Sequence, residues 1–579
     1  MPVPSRPLLG QKRLIALAVA LTLACAGTMR AQVVVVPPIP QIGSSNPATA
    51  EPAVSRPDTK PCIVPLFQEL EFADFNLKSF SYTPPANCPG PWAKVVFTAD
   101  FTVTAGRQYD RTAAFYLGQA SIYYGTTAEP RSALSPSWHV ERDVTDLSAI
   151  FKSAQTGEAN IGNFVGVYDG VTYNGIIYAN AALEFYPANF RNPAPPVPDL
   201  VIPVNGSGGD AGTLNTTTDQ ITQTLNLPEN VESVYLDVIA QNQIDDEFWY
   251  FCVPNSETGP LESCGNTAFR ETEVSIDGGP AGVAPAYPWI FTGGIDPYLW
   301  EPIPAVQTLD FVPYRVNLTP FAGLLGDGSA HTVAVSVYNA NQYFLATANL
   351  LVYLDHGSAK TTGGIVSNTL SAAPTPVIQN NIATDASGNS TGNILTTSNR
   401  QFSIQGYLNT SHGRITTTVK QNVDFSNNQE FVVNATTDEQ NVQQLTEVHS
   451  VTSTQQGWFV TTSTEDFKYP LNIDYLFVEN SDGSFAQTTT VKQSYEKDES
   501  TNLNGFPTYN SQLNEQVNST DVLDISSGFS ITGNSGSKSS QTYTWHDSRG
   551  GCYSRTIASA NQVLTSVTNG PGCERGFRF

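Results

Sequence analysis

The chain has 579 residues, and its 28 basic against 52 acidic residues give a formal net charge of −24 at pH 7. Nucleic acids and anionic membrane surfaces bind basic faces, so this charge excludes both as partners. Charged residues make up only 14% of the chain, whereas Gly, Pro, Thr, Asn and aromatic residues are frequent, which predicts mostly β structure with many turns.

The N-terminus has the layout of a secretory signal. A basic pair precedes an apolar run, Leu14–Ala26, and small residues continue to Ala31. This run is too short to span a membrane as a helix, so residues 1–31 are predicted to be removed on export, leaving no membrane attachment. The product is expected to be secreted or periplasmic. Residues 32–61 are rich in proline and predict a linker with polyproline character.

Six cysteines remain once Cys25 leaves with the signal. An even number of cysteines in an exported chain predicts disulfides. Pairing of neighbours along the chain gives Cys62 with Cys88, Cys252 with Cys264 and Cys552 with Cys573, while other connectivities stay open. Full pairing would leave no free thiol for a Cys–His nucleophile.

Residues 62–191 carry many short strand patterns separated by turns. Val95–Val103 leads into a polar turn, Arg107–Asp110, and Ala113–Leu117 then alternates with period two. This pattern predicts a first antiparallel jelly-roll or β-sandwich domain. Four prolines in residues 192–198 cannot join a sheet interior and therefore mark its boundary.

The rest of the chain predicts a second domain of the same class and a β-rich C-terminal region. In residues 199–356, a strand-like run, Val231–Gln241, precedes an acidic and aromatic cluster, Asp245–Tyr250. In residues 357–579, Ser, Thr, Asn and Gln dominate, with single apolar residues between them. Such thinly apolar strands need a neighbour to pack on, so this region is expected to support the first two domains.

Four sequence blocks, in one order, resemble the peptide:N-glycanase A (PNGase A) family. The blocks are RQYDR…AFYLG…TAEP from Arg107 to Pro130, DDEFWYFCVP from Asp245, FRETEVSIDG from Phe269 and IFTGGIDPYLW from Ile290. The resemblance implies an amidase that removes N-linked glycans from asparagine. It is nearest to the exported, acid-active bacterial enzymes of the PNGase H+ type.

A more distant likeness to PNGase F implies residue roles. It implies two jelly rolls side by side, with the site in the cleft between them, and Asp110 as the main catalytic residue. A second carboxylate falls on Asp169 and a third on Glu247, with Asp245, Asp246 and Glu271 as rivals for the third role.

The chemistry of amide hydrolysis fits these residue types. The reaction needs a water nucleophile, an acid or base to move protons, and groups that hold the first two GlcNAc units. Asp110 and Glu247, facing each other across a partly dry cleft, would split their pKa values, which suits acidic pH. Arg111 would steady the developing charge or the carboxylate.

Four further residues are predicted to bind substrate. Trp249 and Trp300 would stack on sugar faces, unless they fill the core as most aromatic residues of β domains do. Glu271 and Asp246 are the acidic candidates.

Two other functions stay open at this point: an endo-acting glycoside hydrolase, which also uses paired carboxylates, and a non-catalytic carbohydrate-binding or cell-surface β-sandwich protein. The sequence has no HExxH, Cys/His zinc spacing, P-loop or dinucleotide signature, so we expect no metal and no organic cofactor. The expected partners are N-glycoproteins and glycopeptides, bound by a monomer.

Overall fold

The computed structural model describes residues 39–206 and 208–570, so the predicted signal, residues 1–31, lies outside it. Antiparallel sheet dominates these residues, as the composition predicts. Helix is confined to short segments: the α-helix Ala322–Leu325 and the 3-10 turns Thr145–Leu147, Ile150–Lys152, Ile244–Asp246, Trp249–Phe251, Pro297–Trp300 and Thr319–Phe321. Across both described ranges, no helix is long and apolar enough to cross a membrane.

The first domain is a sandwich of two four-stranded sheets, with strand orders β1-β10-β3-β6 and β2-β7-β4-β5, plus the small hairpin β8–β9. Its strands are β1 (Cys62–Phe72), β2 (Lys78–Tyr82), β3 (Trp92–Val103), β4 (Thr112–Leu117), β5 (Ala120–Thr126), β6 (Ser137–Asp143), β7 (Gln155–Ile161), β8 (Gly166–Tyr168), β9 (Val171–Tyr173) and β10 (Ile177–Pro187). Aromatic rings from both sheets fill the core, with Phe101 stacked on Trp138 at 5.1 Å and Phe97 on Tyr123 at 5.6 Å.

The second domain repeats this architecture with sheet orders β11-β19-β14-β17 and β13-β18-β15-β16, while β12 also pairs with β19. Its strands are β11 (Leu200–Val204), β12 (Gly212–Thr216), β13 (Ile221–Leu225), β14 (Val231–Asn242), β15 (Glu271–Ile276), β16 (Gly279–Pro285), β17 (Tyr314–Asn317), β18 (His331–Tyr338) and β19 (Asn341–Leu354).

Both domains have jelly-roll topology. For this comparison, hairpin β8–β9 is left out of the first domain, and β11 and β12 count as one strand of the second. Each domain then has eight strands. One sheet contains them in the order first, eighth, third and sixth, and the other in the order second, seventh, fourth and fifth. In this topology the loops after the third, fifth and seventh strands emerge at the same end. Residues 104–111 and 127–136 form two of these loops in the first domain, and residues 243–270 and 286–313 form the equivalent pair in the second.

The two jelly rolls are joined along β5, an edge strand of its sheet. The Thr126 N–H donates to the Thr308 carbonyl at 2.9 Å, and the Phe311 N–H donates to the Tyr124 carbonyl at 2.8 Å. A Cβ at Gly125 would lie 2.3 Å from the Leu309 oxygen, so only glycine permits this close backbone contact. The exposed edge is thereby covered and the relative position of the domains is set.

The C-terminal region is one twelve-stranded antiparallel sheet that meanders in chain order. Its strands are β20 (Thr362–Asn368), β21 (Val377–Asn380), β22 (Ala383–Thr384), β23 (Ser390–Thr410), β24 (Gly413–Asn434), β25 (Thr437–Gln456), β26 (Phe459–Glu479), β27 (Phe485–Leu503), β28 (Phe506–Ile525), β29 (Ile531–Asp547), β30 (Cys552–Ala560) and β31 (Val563–Asn569). One face packs on the second domain: Phe425 contacts the rings of Trp249 and Phe269, and Tyr469 contacts Tyr287. This packing agrees with the predicted supporting role.

The described part of the predicted linker, residues 39–61, does not act as a spacer. Arg56 forms ion pairs with Glu141 at 2.7 Å and Glu184 at 3.0 Å on the first domain. The Ala50 N–H donates to Gln541 of the C-terminal sheet, and Ala50 is fully buried. The segment is therefore a strap between the first domain and the C-terminal sheet, which corrects the linker prediction: its prolines suppress regular strands but not packing.

Replacing Phe425 with Ala is expected to lower the free energy of unfolding by about 3 to 5 kcal/mol, because it removes the ring that joins the C-terminal sheet to Trp249 and Phe269. Chemical denaturation measures the change. Phe506→Ala is the matched control, since Phe506 is 75% exposed. Equal losses in the two variants would contradict the packing described for this interface.

Candidate active site

The loop after β3, residues 104–111, carries Asp110 near its end and is held in place by the buried side chain of Arg111. Arg111 is 5% exposed; its Nε donates to Asn163 Oδ1 and its Nη2 to Gln108 Oε1, both at 2.9 Å. Its Nη1 donates to the Tyr109 carbonyl. The guanidinium thus holds the loop from inside the domain, and its charge opposes the rise that burial causes in the pKa of Asp110. These contacts use most of the guanidinium, which leaves little of Arg111 for substrate, and its steadying of the carboxylate stays a prediction.

Asp110 meets two other loops. The Gly293 N–H, from the second domain, donates to Asp110 Oδ2 at 2.8 Å. The Asp110 N–H donates to Glu129 Oε2, in the loop after β5, at 3.2 Å. A Cβ at Gly293 would lie 2.0 Å from Glu129 Oε2 and 2.9 Å from Asp110 Oδ2, so a side chain at this position would push the two carboxyls apart.

Glu247 is the third carboxyl of this cluster. It lies between the 3-10 turns Ile244–Asp246 and Trp249–Phe251, in the second-domain loop that is equivalent to the loop of Asp110. Burial, and then the charges of Asp110 and Glu129, raise the pKa of Glu247 to about 8. Within the part of the chain that the structure describes, its carboxyl has no hydrogen-bonding partner, so it can exchange protons with a ligand.

Burial raises the pKa of the other two carboxyls as well. For Glu129, burial and the Asp110 charge raise the pKa to about 7, against a lowering by Arg131. For Asp110, burial raises the pKa, while the Gly293 N–H and Arg111 lower it. All three side chains are only partly exposed, and the site therefore holds protons at a pH where ordinary carboxyls are ionised.

Glu129 was not among the predicted site residues, although it belongs to the TAEP part of the first block. Its Oε1 lies 3.7 Å from Arg131 Nη2, and Arg131 Nε donates to Glu301 at 2.8 Å. The signal was present in that block, but only the fold brings the loop after β5 onto Asp110.

Asp246 and Glu271 do not face the cluster as substrate-binding residues. Asp246 is fully buried, where its Oδ1 accepts from Arg270 at 2.7 Å. Glu271 is 2% exposed and is paired at 2.5 Å with Arg400 of the C-terminal sheet. These buried ion pairs leave no surface for a sugar, which corrects the prediction: both carboxylates hold the fold. Asp245, the remaining rival, is exposed beside Glu247.

Trp249 and Trp300 also belong to the core. Trp249 is fully buried against Phe425, and Trp300 is 3% exposed, with its Nε1 donating to the Gly294 carbonyl at 2.8 Å. Neither ring face is open to a sugar, so the core-packing interpretation replaces the stacking prediction. Trp300 still contributes to the site indirectly, because it holds the glycine after Gly293.

Asp169 lies on the exposed turn of hairpin β8–β9, at a left-handed φ of 47°. The hairpin packs on the loop that carries Asp110, since Tyr173 contacts the ring of Tyr109 in that loop edge-on at 5.7 Å. The cluster is formed by Asp110, Glu129 and Glu247, and the catalytic role of Asp169 stays a prediction.

Two of the predicted disulfides are confirmed, Cys62 with Cys88 and Cys252 with Cys264. The second closes the loop that follows Glu247. The third predicted pair includes Cys573, which lies outside the described residues.

Comparison with known proteins gives two family matches. Residues 62–371 match the family described as peptide N-acetyl-beta-D-glucosaminyl asparaginase amidase A. Residues 393–471 match the PNGase_A C-terminal domain. The chain is also 29% identical, over 541 residues, to peptide-N4-(N-acetyl-beta-glucosaminyl)asparagine amidase A of Prunus dulcis, covering 90% of this chain and 91% of that one.

Solved structures with a similar arrangement are more distant. PNGF-II aligns with a TM-score of 0.35 and 14% identity, over 51% of this chain and 66% of that one. PNGase F of Flavobacterium meningosepticum aligns with a TM-score of 0.34 and 12% identity, over 51% and 96% of the two chains.

Replacing Glu247 with Gln is expected to raise thermal stability, and to raise it more as the pH increases. A carboxyl whose pKa moves from 4.5 unfolded to about 8 folded contributes stability at low pH and loses it across that interval. The difference in melting temperature between Glu247→Gln and wild type should therefore grow from pH 4.5 to about 8, in favour of the variant, and stay constant above that pH. Asp245→Asn, an exposed neighbour, is the control; an identical trend in both variants would contradict the burial of Glu247.

Proposed function

Because this chain belongs to the peptide N-acetyl-beta-D-glucosaminyl asparaginase amidase A family, we propose that it is an amidase acting on N-glycoproteins and glycopeptides. It hydrolyses the amide between the asparagine side chain and the first GlcNAc, and leaves aspartate in the peptide. The observation that carries this proposal is the cluster of Asp110, Glu129 and Glu247, in which Asp110 and Glu247 come from equivalent loops of the two jelly rolls and Glu129 from a neighbouring loop of the first.

Asp110 is the general base in this proposal. Burial raises the pKa of Asp110, but it starts from the lower ordinary pKa of an aspartate, and the Gly293 N–H and Arg111 both favour its ionised form. It takes a proton from water as the water oxygen attacks the side-chain carbonyl carbon, and a tetrahedral intermediate forms.

Glu247 is the general acid. With a pKa of about 8, its carboxyl is protonated at acidic and neutral pH and is free to donate. It gives its proton to the amide nitrogen as the C–N bond breaks, so the glycan leaves as a glycosylamine, which water converts to the free sugar and ammonia. Glu129 positions Asp110 through the Asp110 N–H and keeps the pKa of Glu247 high through its own charge.

The finer properties follow from the same proposal. The enzyme works best at acidic pH as an exported, bacterial protein of the PNGase H+ type, a monomer without membrane attachment. Two disulfides suit an oxidising compartment outside the cytosol. Asp169, on the hairpin that packs on Tyr109, is assigned to the rim of the site, where it assists Asp110.

Incubating a defined N-glycopeptide with the protein should convert Asn to Asp in the peptide, as read by mass spectrometry. Asp110→Asn should lower kcat/KM about a hundredfold or more, because it removes the base. Asp498→Asn, an exposed acid of the C-terminal sheet, is the matched control. A peptide that keeps one GlcNAc would instead identify an endoglycosidase, and properly folded protein that binds glycopeptide without releasing anything would identify a binding module.

The pH profile of kcat/KM should fall as the pH rises through about 7 to about 8, where Glu129 and then Glu247 lose their protons. Glu129→Gln should move this descending limb to lower pH, because the Glu129 charge raises the pKa of Glu247. Initial rates across the pH range measure both effects, with Asp498→Asn again as control. If the descending part of the pH profile lies at the same pH in Glu129→Gln as in wild type, the Glu129 charge does not raise the pKa of Glu247.

A further inference from the structure

The Gly293 loop rests on the C-terminal sheet. Gln487 Nε2 donates to the Ile295 carbonyl at 3.2 Å, and Ser519 Oγ donates to the Leu299 carbonyl at 2.6 Å. Between these two contacts, the carboxyls of Asp296 and Asp521 lie close enough to interact with each other. Asp296 is fully buried and Asp521 is 1% exposed, so bulk solvent does not screen one carboxyl from the other.

Only one oxygen of each carboxyl has an ordinary donor. Asp296 Oδ1 accepts from the Tyr298 N–H at 2.9 Å, and Asp521 Oδ1 accepts from Asn534 Nδ2 at 2.9 Å. Both Oδ2 atoms are buried and find no donor within the part of the chain that the structure describes. Two ionised carboxylates would repel each other strongly in such a site, whereas one proton between them turns the pair into a strong O–H···O⁻ bond.

We infer that Asp296 and Asp521 share one proton, and that this bond holds the Gly293 loop in the position from which its N–H reaches Asp110. The two aspartates are positioning residues and do not touch substrate. This inference rests on the proposed function only for its effect on catalysis; the shared proton is argued from the burial of the two carboxyls, their unpartnered Oδ2 atoms and the contacts of the loop with the sheet. It makes the C-terminal sheet part of the catalytic apparatus.

The other charges around the pair do not replace the proton. Arg131 lowers the pKa of Asp296, but it is already bound to Glu301 at 2.8 Å and lies near Glu129. On the other side, the exposed Asp524 raises the pKa of Asp521 further. Burial is the largest influence on both aspartates, and it favours the protonated form.

The sign of the pH effect follows. A buried pair whose pKa is raised contributes its full stability at low pH and loses it as the pH rises through the raised value. Once both carboxyls are ionised they repel, and the loop is pushed away from the sheet. Gly293 precedes Asp296 by only three residues, so the N–H that Asp110 accepts moves with it.

The variant Asp521→Asn distinguishes a shared proton from packing alone as the source of the stability that this pair contributes. The amide keeps the shape and donates to Asp296 without needing a proton, so it copies the acid form at every pH. The melting temperature is measured without substrate from about pH 4 to about pH 9. We expect Asp521→Asn to lose less stability than wild type as the pH rises, and Asp498→Asn, an exposed control on the neighbouring strand β27, to follow wild type. Parallel curves for wild type and Asp521→Asn would overturn the inference.

The catalytic consequence is measured on the N-glycopeptide. Asp521→Ala should lower kcat about tenfold or more at acidic pH with a smaller change in KM, since a loop displaced by about 1 Å misplaces the Asp110 partner. Asp521→Asn should restore kcat at acidic pH. Equal kcat in Asp521→Ala and wild type would overturn the positioning role. If wild type itself releases no glycan, the proposed function fails, while the melting curves still decide whether the proton is shared.

Discussion

The site depends on one contact between domains, the Gly293 N–H that donates to the carboxylate of Asp110. It requires a glycine, because a Cβ would collide with Glu129, and it requires the two jelly rolls to be held in a single relative position. The edge strand β5 supplies that position by pairing with residues 308–311 of the same second-domain loop that carries Gly293. The backbone contact that covers a sheet edge therefore also aligns the three carboxyls of the candidate site.

The C-terminal sheet stabilises the loops that form the site more than it adds to their surface. Glutamines on its inner face donate to main-chain carbonyls of the second domain: Gln429 to Cys252 at 3.1 Å, Gln440 to Phe251 at 2.9 Å and Gln493 to Pro288 at 2.7 Å. Buried loop carbonyls need hydrogen-bond donors, and these glutamines supply them, although the Phe251 carbonyl also accepts from Ser263 Oγ at 3.0 Å. Long, polar strands are suited to this task because each inward glutamine reaches a carbonyl that no neighbouring strand can.

The sequence predicted the β class and two jelly-roll or β-sandwich domains, because period-two patterns and turn residues are local signals. Asp110 and Glu247 were singled out by the resemblance to PNGase F, and in the structure their charges interact within one cluster. The sequence did not predict which polar residues are buried. Asp246 and Glu271 were rival candidates to Glu247 in the sequence. In the structure Asp246 is paired with Arg270 and Glu271 with Arg400, each far from its partner along the chain. Glu129 was missed for the converse reason, since only the meeting of the loops after β3 and β5 makes it a neighbour of Asp110. Long-range pairing of charges has no local signature.

Burial of acids couples the stability of this fold to its proposed chemistry. Glu129 and Glu247 both have raised pKa values, chiefly through burial, so each stabilises the folded state most when it is protonated. Glu515 and Asp310, far from the cleft residues in sequence, follow the same rule. A chain with a net charge of −24 also repels itself less as its carboxyls take up protons. The pH range in which Glu247 can act as an acid is therefore the range in which the buried carboxyls favour the folded state, and an enzyme of this construction gains activity and stability from the same protons.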